Sequence, residues 1–412
     1  MKSPCKKAPF SAGLLLTLLA GGTATAQSVD LQALVDAAAD GDTLRLAASR
    51  HTSAVIDKEL VLIGQGVETV IDGGGRGHAL AIAAPGIELR DLQVQNSGTD
   101  VTDKESCVWV GRQAAGVRIA EVRVSGCGFG IWVDKAPDPV IVDCEIVGRT
   151  DEKIVSDLGN GIHLFNITGG LVADNEVVDG RDGIYISNST GVLIEGNRIR
   201  RTRFAIHYMY SHANRVVGNR TDSSSVGIAL MYSKHLQVRD NSAHANRTHG
   251  ILLRNLYYSR VDANRTTGNA DGFFFSGCNY DTLTANFVAG NKLGLLISDS
   301  KDNAVSGNSF VGNEEQLSYQ NYASIEWAGN YWSDYLGWDR DGDGVGDKAH
   351  YPADIASYLV YRYPAVRLVM HSPAMKLLQG LEAQFPVLRA PGVIELRPLM
   401  GDPLAQTEGS GR

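Results

Sequence analysis

Between positions 161 and 331 the apolar residues recur with a period of 22 or 23 residues. Gly161-Ile162, Gly183-Ile184, Ala205-Ile206, Gly227-Ile228, Gly250-Ile251, Gly272-Phe273 and Gly294-Leu295 each open the same pattern. Fourteen residues into each unit stands an asparagine: Asn175, Asn197, Asn219, Asn241, Asn264, Asn286 and Asn308, with Asn330 next in line if Gln316 opens one more unit. Short runs within a unit alternate. In Gly183-Ile184-Tyr185-Ile186-Ser187 the isoleucines face one way and Tyr185 and Ser187 the other, and Val192-Leu193-Ile194 alternates likewise. Glycine, asparagine, aspartate and serine separate the runs as turns. No segment of the repeat carries the 3.6-residue stripe of a helical solenoid, and the leucine spacing of a leucine-rich repeat is missing. A unit this short cannot bury its own apolar face, so units must stack. The pattern predicts an all-β fold, a right-handed parallel β-helix, with the asparagines stacked in an internal ladder at sharp turns where they tolerate the left-handed region.

More degenerate coils run through 60–64, 70–73, 78–82, 107–110 and 130–133. The step from Gly130 to Gly161 is longer than the period, which places an insertion in the polar stretch 148–158 as a projecting loop. Residues 30–39 read as a short amphipathic helix, with Leu31, Leu34 and Val35 apolar, capping the open end of the first coil. The expected organisation is a signal peptide over 1–26, an N-terminal cap over 27–60, the β-helix over 61–331, a C-terminal extension over 332–402 and a disordered tail over 403–412.

The first 26 residues have the form of an export signal: Lys2, Lys6 and Lys7, an apolar core from Leu14 to Ala20, and Ala24-Thr25-Ala26 before Gln27. Cleavage would take the formal charge from −8 to −11. That balance argues against a nucleic-acid partner. Cys107, Cys127, Cys144 and Cys278 would remain, and their spacing reads as no disulfide framework, leaving open whether any pair. Cys144 falls at an asparagine-ladder position, where burial is its expected role.

Stacking turns equal offsets into neighbours about 4.8 Å apart. One outward column should read Trp132, His163, Tyr185, His207, Ala229, Leu252, Phe274, Leu296; the next, Asp134, Phe165, Ser187, Met209, Met231, Arg254, Ser276, Ser298. Met209 and Met231 are therefore expected to be vertical neighbours, with His207 on the same face and His163, two coils away, as an alternate ligand. Two thioethers and an imidazole form a soft, charge-neutral set suited to Cu(I). Packing is the plainer reading of such residues, and the shared Met-Tyr-Ser of two coils (209–211 and 231–233) also fits duplication of one unit. His212, His235, His244 and His249 decorate nearby turns and suit loose capture rather than a closed site.

After the repeat the composition changes. From Asp339, carboxylates fall at positions 1, 3, 5 and 9 (Asp339, Asp341, Asp343, Asp347), with Gly344 at 6 and the Val345 carbonyl at 7. This matches the start of a calcium loop of EF-hand type, although position 12 is His350, so a further carboxylate such as Asp354 must complete it. An acidic turn held by its own hydrogen bonds is the simpler alternative. Ser372-Pro373 starts a helix with Met375, Leu377, Leu378 and Leu381 apolar, placed to cap the far end or meet a membrane partner.

The export signal, the Gly-Ile coils, Asn330-Tyr331-Trp332-Ser333-Asp334-Tyr335, the stretch 339–347 and Ser372-Pro373-Ala374-Met375-Lys376-Leu377-Leu378 together resemble the NosD family, over nearly the whole mature chain. The resemblance implies a β-helix of the carbohydrate-binding and sugar-hydrolase type, periplasmic and peripheral to the inner membrane through partners. It implies association with an ABC transporter, a NosF-like ATPase and a NosY-like membrane subunit. It further implies copper supply to nitrous-oxide reductase, with a NosL-like copper chaperone upstream. It brings no catalytic motif, and the expectation is a protein that is not an enzyme. Secreted β-helices are often carbohydrate-active enzymes, but those need paired carboxylates in an outer groove, and Asp134 stands alone in its column. A carbohydrate-active enzyme or binding protein, and a clamp that assembles the reductase without binding metal, remain the alternatives.

Overall fold

Alternating short runs with a fixed period fold into three strands per central coil, as in Asp182–Ser187, Leu193–Glu195 and Arg198–Arg200. The structure, a computed structural model, describes residues 28–405 apart from 153, 322–323, 354–358, 360–362, 370–371 and 386–391. The export signal and Asp354 therefore lie outside the described residues. Strands stack in parallel into one 12-stranded sheet and one 24-stranded sheet. The larger sheet is two columns of strands joined where Glu88–Gln95 and Arg118–Ser125 run unbroken across the corner. This is the expected parallel β-helix, about 22 residues per coil.

Inward positions along the stack are fully buried, as with Ile162, Ile184, Ile206, Ile228, Ile251, Phe273 and Leu295 in one column. The residue before each of these, a glycine in every coil except that of Ala205, also turns inward. A Cβ on Gly183 would lie 2.4 Å from Ile199 Cγ2, which is why glycine recurs there.

The asparagines form the expected ladder. From Asn175 to Asn330 each Nδ2 donates to the Oδ1 of the next at 2.9 to 3.0 Å. Cys144, buried as expected, begins the column: its N–H donates to Asn175 Oδ1 at 3.0 Å. Burial pushes its thiol up to about 12. The buried carboxylate of Glu395 ends the column, accepting from Asn330 Nδ2 at 2.7 Å. One detail differs from expectation. The left-handed residue is the one before each asparagine, such as Asp174, Gly196 or Asp240 (φ 54°, 65° and 57°), and that kink aims the asparagine side chain inward. A second, shorter ladder (Asn246, Asn269, Asn291, Asn313) runs five residues later in each coil, with side chains linked at 3.0 Å.

The ends differ from the sequence boundaries. Thr43–Arg45, Arg50–Thr52 and Ala54–Ile56 already pair in register with the next coil, so coiling begins inside the expected 27–60 cap. Only the helix Leu31–Ala37 caps it, with Asp30 accepting from Ala33 N–H at 3.1 Å and Leu31 and Val35 fully buried, while Leu34 is exposed. Cys107 and Cys127 form a disulfide between adjacent coils, Cα atoms 5.5 Å apart; Cys278 is free and buried. At the far end, Trp332 stacks on Phe310 at 4.3 Å, and the strand segment around Glu395 pairs with His350. That return segment, rather than the helix Pro373–Gln384, covers the last coil. Ser372 caps this helix by accepting from Met375 N–H at 3.2 Å; Met375 is buried but Leu377 points to solvent, off the expected apolar face. Pro403–Ala405, in the expected disordered tail, forms a turn in which Asp402 accepts from Leu404 N–H at 2.9 Å. No helix among the described residues is long and apolar enough to cross a membrane.

Asn241 Oδ1 accepts two hydrogen bonds from Asn219, and the two hydrogens of its Nδ2 are shared among three acceptors, Val216 O, Arg239 O and Asn264 Oδ1. Asn241→Ala leaves several buried groups unpaired, at about 1–3 kcal/mol for each one left unsatisfied. The expected outcome is a lower urea midpoint with little change in far-UV circular dichroism.

Candidate functional site

The registers agree with the outward columns. Trp132, His163, Tyr185, His207, Ala229, Leu252, Phe274 and Leu296 are successive Cα partners on the 12-stranded sheet. Asp134, Phe165, Ser187, Met209, Met231 and Arg254 follow in the neighbouring column. Met209 and Met231 are thus vertical neighbours on the outer face, both half-buried. Met231 also packs on an outer apolar cluster of Val226, Ala229 and Leu252.

His207 is anchored from a direction the column arithmetic does not contain. Asp182, one coil back at the edge of the same face, is buried, and its Oδ2 lies 3.0 Å from His207 Nδ1. Arg203 closes on the same carboxylate with two bonds, at 2.8 and 2.6 Å. Burial opposes ionisation of Asp182, but the bonds and charges of His207 and Arg203 outweigh it and hold the carboxyl below its ordinary range. Asp182 reads in the sequence as a turn residue before a coil-opening glycine. The glycine turns inward, which breaks the alternation and returns Asp182 to the outer face. With Nδ1 committed to a carboxylate, Nε2 is the nitrogen left for an external ligand, an arrangement that orients metal-binding imidazoles.

His163 is not brought to this set. Tyr185 stands between it and His207, and its ring lies 3.7 Å from that of Trp132 and 4.6 Å from that of Tyr185. Nδ1 meets Asn160 Nδ2 at 3.2 Å, while Nε2 is buried without a protein partner. Burial pulls its pKa down to about 3. The other histidines also lie apart: His249 pairs with Asp271 at 2.7 Å, His244 with Thr267 at 3.0 Å, and His235 stacks on Tyr258.

In the acidic loop, Asp339, Asp341 and Asp343 each offer an oxygen within 4.8 Å of the others. The turn is also held by its own bonds: Asp339 accepts from Gly342 and Gly344 N–H at 2.7 and 2.9 Å, and Asp343 from Val345 N–H at 2.7 Å. The Gly344 bond leads those that hold Asp339 below the usual carboxylate range. Asp347 stands outside the three-carboxylate group, accepting from Arg340 N–H at 2.8 Å. His350 turns instead toward Asp334, 3.5 Å away.

A buried neutral His163 makes stability pH-dependent. The unfolded histidine takes a proton near its ordinary value of 6.5 and the folded one only near 3, so stability is lost as pH falls from 6.5. At pH 5 this is worth about 2 kcal/mol. His163→Phe keeps a ring between Trp132 and Tyr185 and should flatten the decline in denaturation midpoint between pH 7 and 5.

A family model described as "Periplasmic copper-binding protein (NosD)" matches residues 144–337. A protein of Pseudomonas aeruginosa named probable ABC transporter binding protein NosD is 39% identical, over 96% of each chain. Its namesake from Stutzerimonas stutzeri is 34% identical over 95% of this chain and 94% of its own. These relatives are named as binding proteins rather than enzymes. Among solved structures, a PL6 alginate lyase superposes with a TM-score of 0.55 at 12% identity, covering 77% of this chain and 87% of its own. PfbA, a surface adhesin of Streptococcus pneumoniae, gives 0.53 at 11%, covering 73% and 91%. At such identities these two share the fold alone. With identity above one third to a full-length relative, and the outer-face registers in place, the chain belongs to the NosD family.

Proposed function

We propose that this protein handles copper in the periplasm with an ABC transporter, holding Cu(I) transiently at Met209, Met231 and His207 on its way to nitrous-oxide reductase. The observation that carries the reading is two thioethers in register beside an imidazole whose Nδ1 is fixed by Asp182. Soft neutral ligands favour Cu(I) over hard cations. An outer-face set with few ligands leaves positions free, so a donor attacks and a recipient removes the ion by ligand exchange. A NosL-like chaperone is the proposed donor, nitrous-oxide reductase the recipient, and a NosF-like ATPase with a NosY-like membrane subunit the transporter. The name of the P. aeruginosa relative supports the transporter link. We further propose that the acidic loop holds Ca²⁺ through Asp339, Asp341 and Asp343, with the Val345 carbonyl and Asp347 completing the shell on binding.

Met209→Leu with Met231→Leu conserves volume and costs about 1.5 kcal/mol or less in stability. In an anaerobic competition titration this pair should weaken Cu(I) binding by more than the ~10–100-fold expected for Asp182→Asn. Unchanged binding by the double variant would reject the site, and a wild type that takes no Cu(I) yet retains the reductase would favour the clamp.

For the loop, Ca²⁺ at about 100 times its dissociation constant stabilises by about 2.7 kcal/mol. The wild-type melting temperature should rise with added Ca²⁺, and that of Asp339→Asn/Asp343→Asn should not.

A further inference from the structure

Met209 and Met231 end their strands on the 12-stranded sheet; at the opposite edge, where the same strands begin, lies an open groove of about 390 Å³. Among the described residues its lining holds three arginines, Arg201, Arg203 and Arg247, and no carboxylate. Ser223 and Ser225 add hydroxyls, and Val155 of the inserted stretch forms part of the wall. The coil period assembles this set. Val226 N–H donates to Arg203 O and Arg247 N–H to Ser224 O, so Arg203 and Arg247 stand two coils apart with Ser225 between them. Two coils are about 10 Å, a gap that two long guanidinium side chains span.

The arginines are held in place by groups outside the lining. Arg201 gives Nε and Nη2 to Asp179 at 2.8 and 2.9 Å, and Arg203 gives the same two nitrogens to Asp182 at 2.8 and 2.6 Å. Each guanidinium keeps its Nη1 hydrogens for another acceptor. Arg203 also lies over the Phe204 ring, 4.6 Å from its centroid, which fixes the plane of the fork. Arg247 is balanced differently. Its Nη2 donates to the Ser225 hydroxyl, and among the described residues no carboxylate lies at ion-pair distance from it. Arg181 follows Gly180, another wall residue, and it too has no such carboxylate; its Nε is buried without a hydrogen-bond partner. Oriented arginine forks with spare N–H donors match the oxygens of a phosphate or sulfate, and the charge repels cations. The volume suits a small ligand rather than a segment of protein.

We propose that this groove binds a small oxyanion of the phosphate class. The site is argued without reference to copper. A link between the two ligands rests on the copper reading: Arg203 shares Asp182 with His207, so negative charge placed on Arg203 favours a cation held at His207. The two ligands should then strengthen each other by the same factor.

Equilibrium dialysis of labelled inorganic phosphate against the mature chain, at constant ionic strength in chloride, should show saturable one-to-one binding. Arg247→Gln should weaken it about tenfold or more, and Arg201→Gln/Arg247→Gln should remove it. Both side chains are exposed, so the melting temperature without phosphate should stay at the wild-type value; if the double variant melts early, Arg247→Gln alone decides. Arg215→Gln, at an exposed arginine outside the groove, should bind phosphate as the wild type does. The proposal is overturned by a wild type without saturable binding, by wild-type affinity in Arg247→Gln, or by an equal loss in Arg215→Gln, which would mean diffuse attraction. Vesicles of phosphatidylglycerol separate the sources: capture that inorganic phosphate reverses assigns a lipid headgroup, and no capture assigns a free ion. In the Cu(I) titration, saturating phosphate should tighten wild-type binding about fivefold and leave Arg201→Gln/Arg247→Gln unchanged; no tightening overturns the link. Met209→Leu/Met231→Leu should lose copper and keep phosphate. If the wild type takes no copper, the copper reading and the link fall, and dialysis still decides the oxyanion site.

Discussion

Parallel hydrogen bonding from each coil to the next holds residues one period apart at strand spacing, over twelve strands of one sheet and twenty-four of the other. Any offset in the period becomes a column, and every column must be compatible with itself. Inward columns are satisfied by isoleucine, valine, leucine and phenylalanine. At the corners, main-chain groups that no strand partner reaches would be orphaned in the core, and the asparagine side chains supply their bonds. Because each asparagine bonds the next, an end must be dealt with. Cys144 starts the main ladder with its main-chain N–H, and Glu395 finishes it with a buried carboxylate. The C-terminal extension is therefore part of the solenoid's polar interior as well as its cover.

The outer faces are free of that requirement, and there the columns change character along the stack. On the 12-stranded sheet, rings occupy the early and middle coils from Trp109 to His207, stacked so closely on one another that Trp132, His163 and His207 are nearly buried. At 12% identity the likeness to an alginate lyase extends to the coil alone. The run of rings is interrupted at Ala229 and Leu252, and the methionine pair stands in the next column at the level of His207 and Ala229. The same coils are basic, with twelve Lys and Arg against three Asp between residues 198 and 265, so soft ligands and positive charge coincide in one part of an otherwise acidic protein.

His207 and His163 show how one column can hold two histidines with different chemistry. Both lie on the same outer line, and both are close to buried. Asp182 reaches His207 and orients it, with Arg203 sharing the carboxylate. His163 has an asparagine and two rings around it, so its neutral form is favoured and its outer nitrogen is enclosed. A column position assigns a neighbour; the residue at the edge of the sheet assigns the hydrogen-bond partner and the free nitrogen.

Periodicity alone was enough to read the parallel β-helix, the main asparagine ladder, the buried cysteine at its head and the adjacency of Met209 and Met231. Each follows from one number, the repeat length, combined with alternation along a strand. The second ladder is also legible, as a second asparagine five residues after the first in four units. Folding had to decide what depends on contacts between different offsets. The Cys107–Cys127 disulfide joins positions twenty apart, not a full period, and so no column contains it. Asp182 reaches His207 because an inward glycine interrupts the alternation, an irregularity that a rule of strict alternation places on the wrong side. The closing of the last coil by Glu395 and His350 brings together chain distant in sequence and outside the repeat, where no period remains to predict a neighbour.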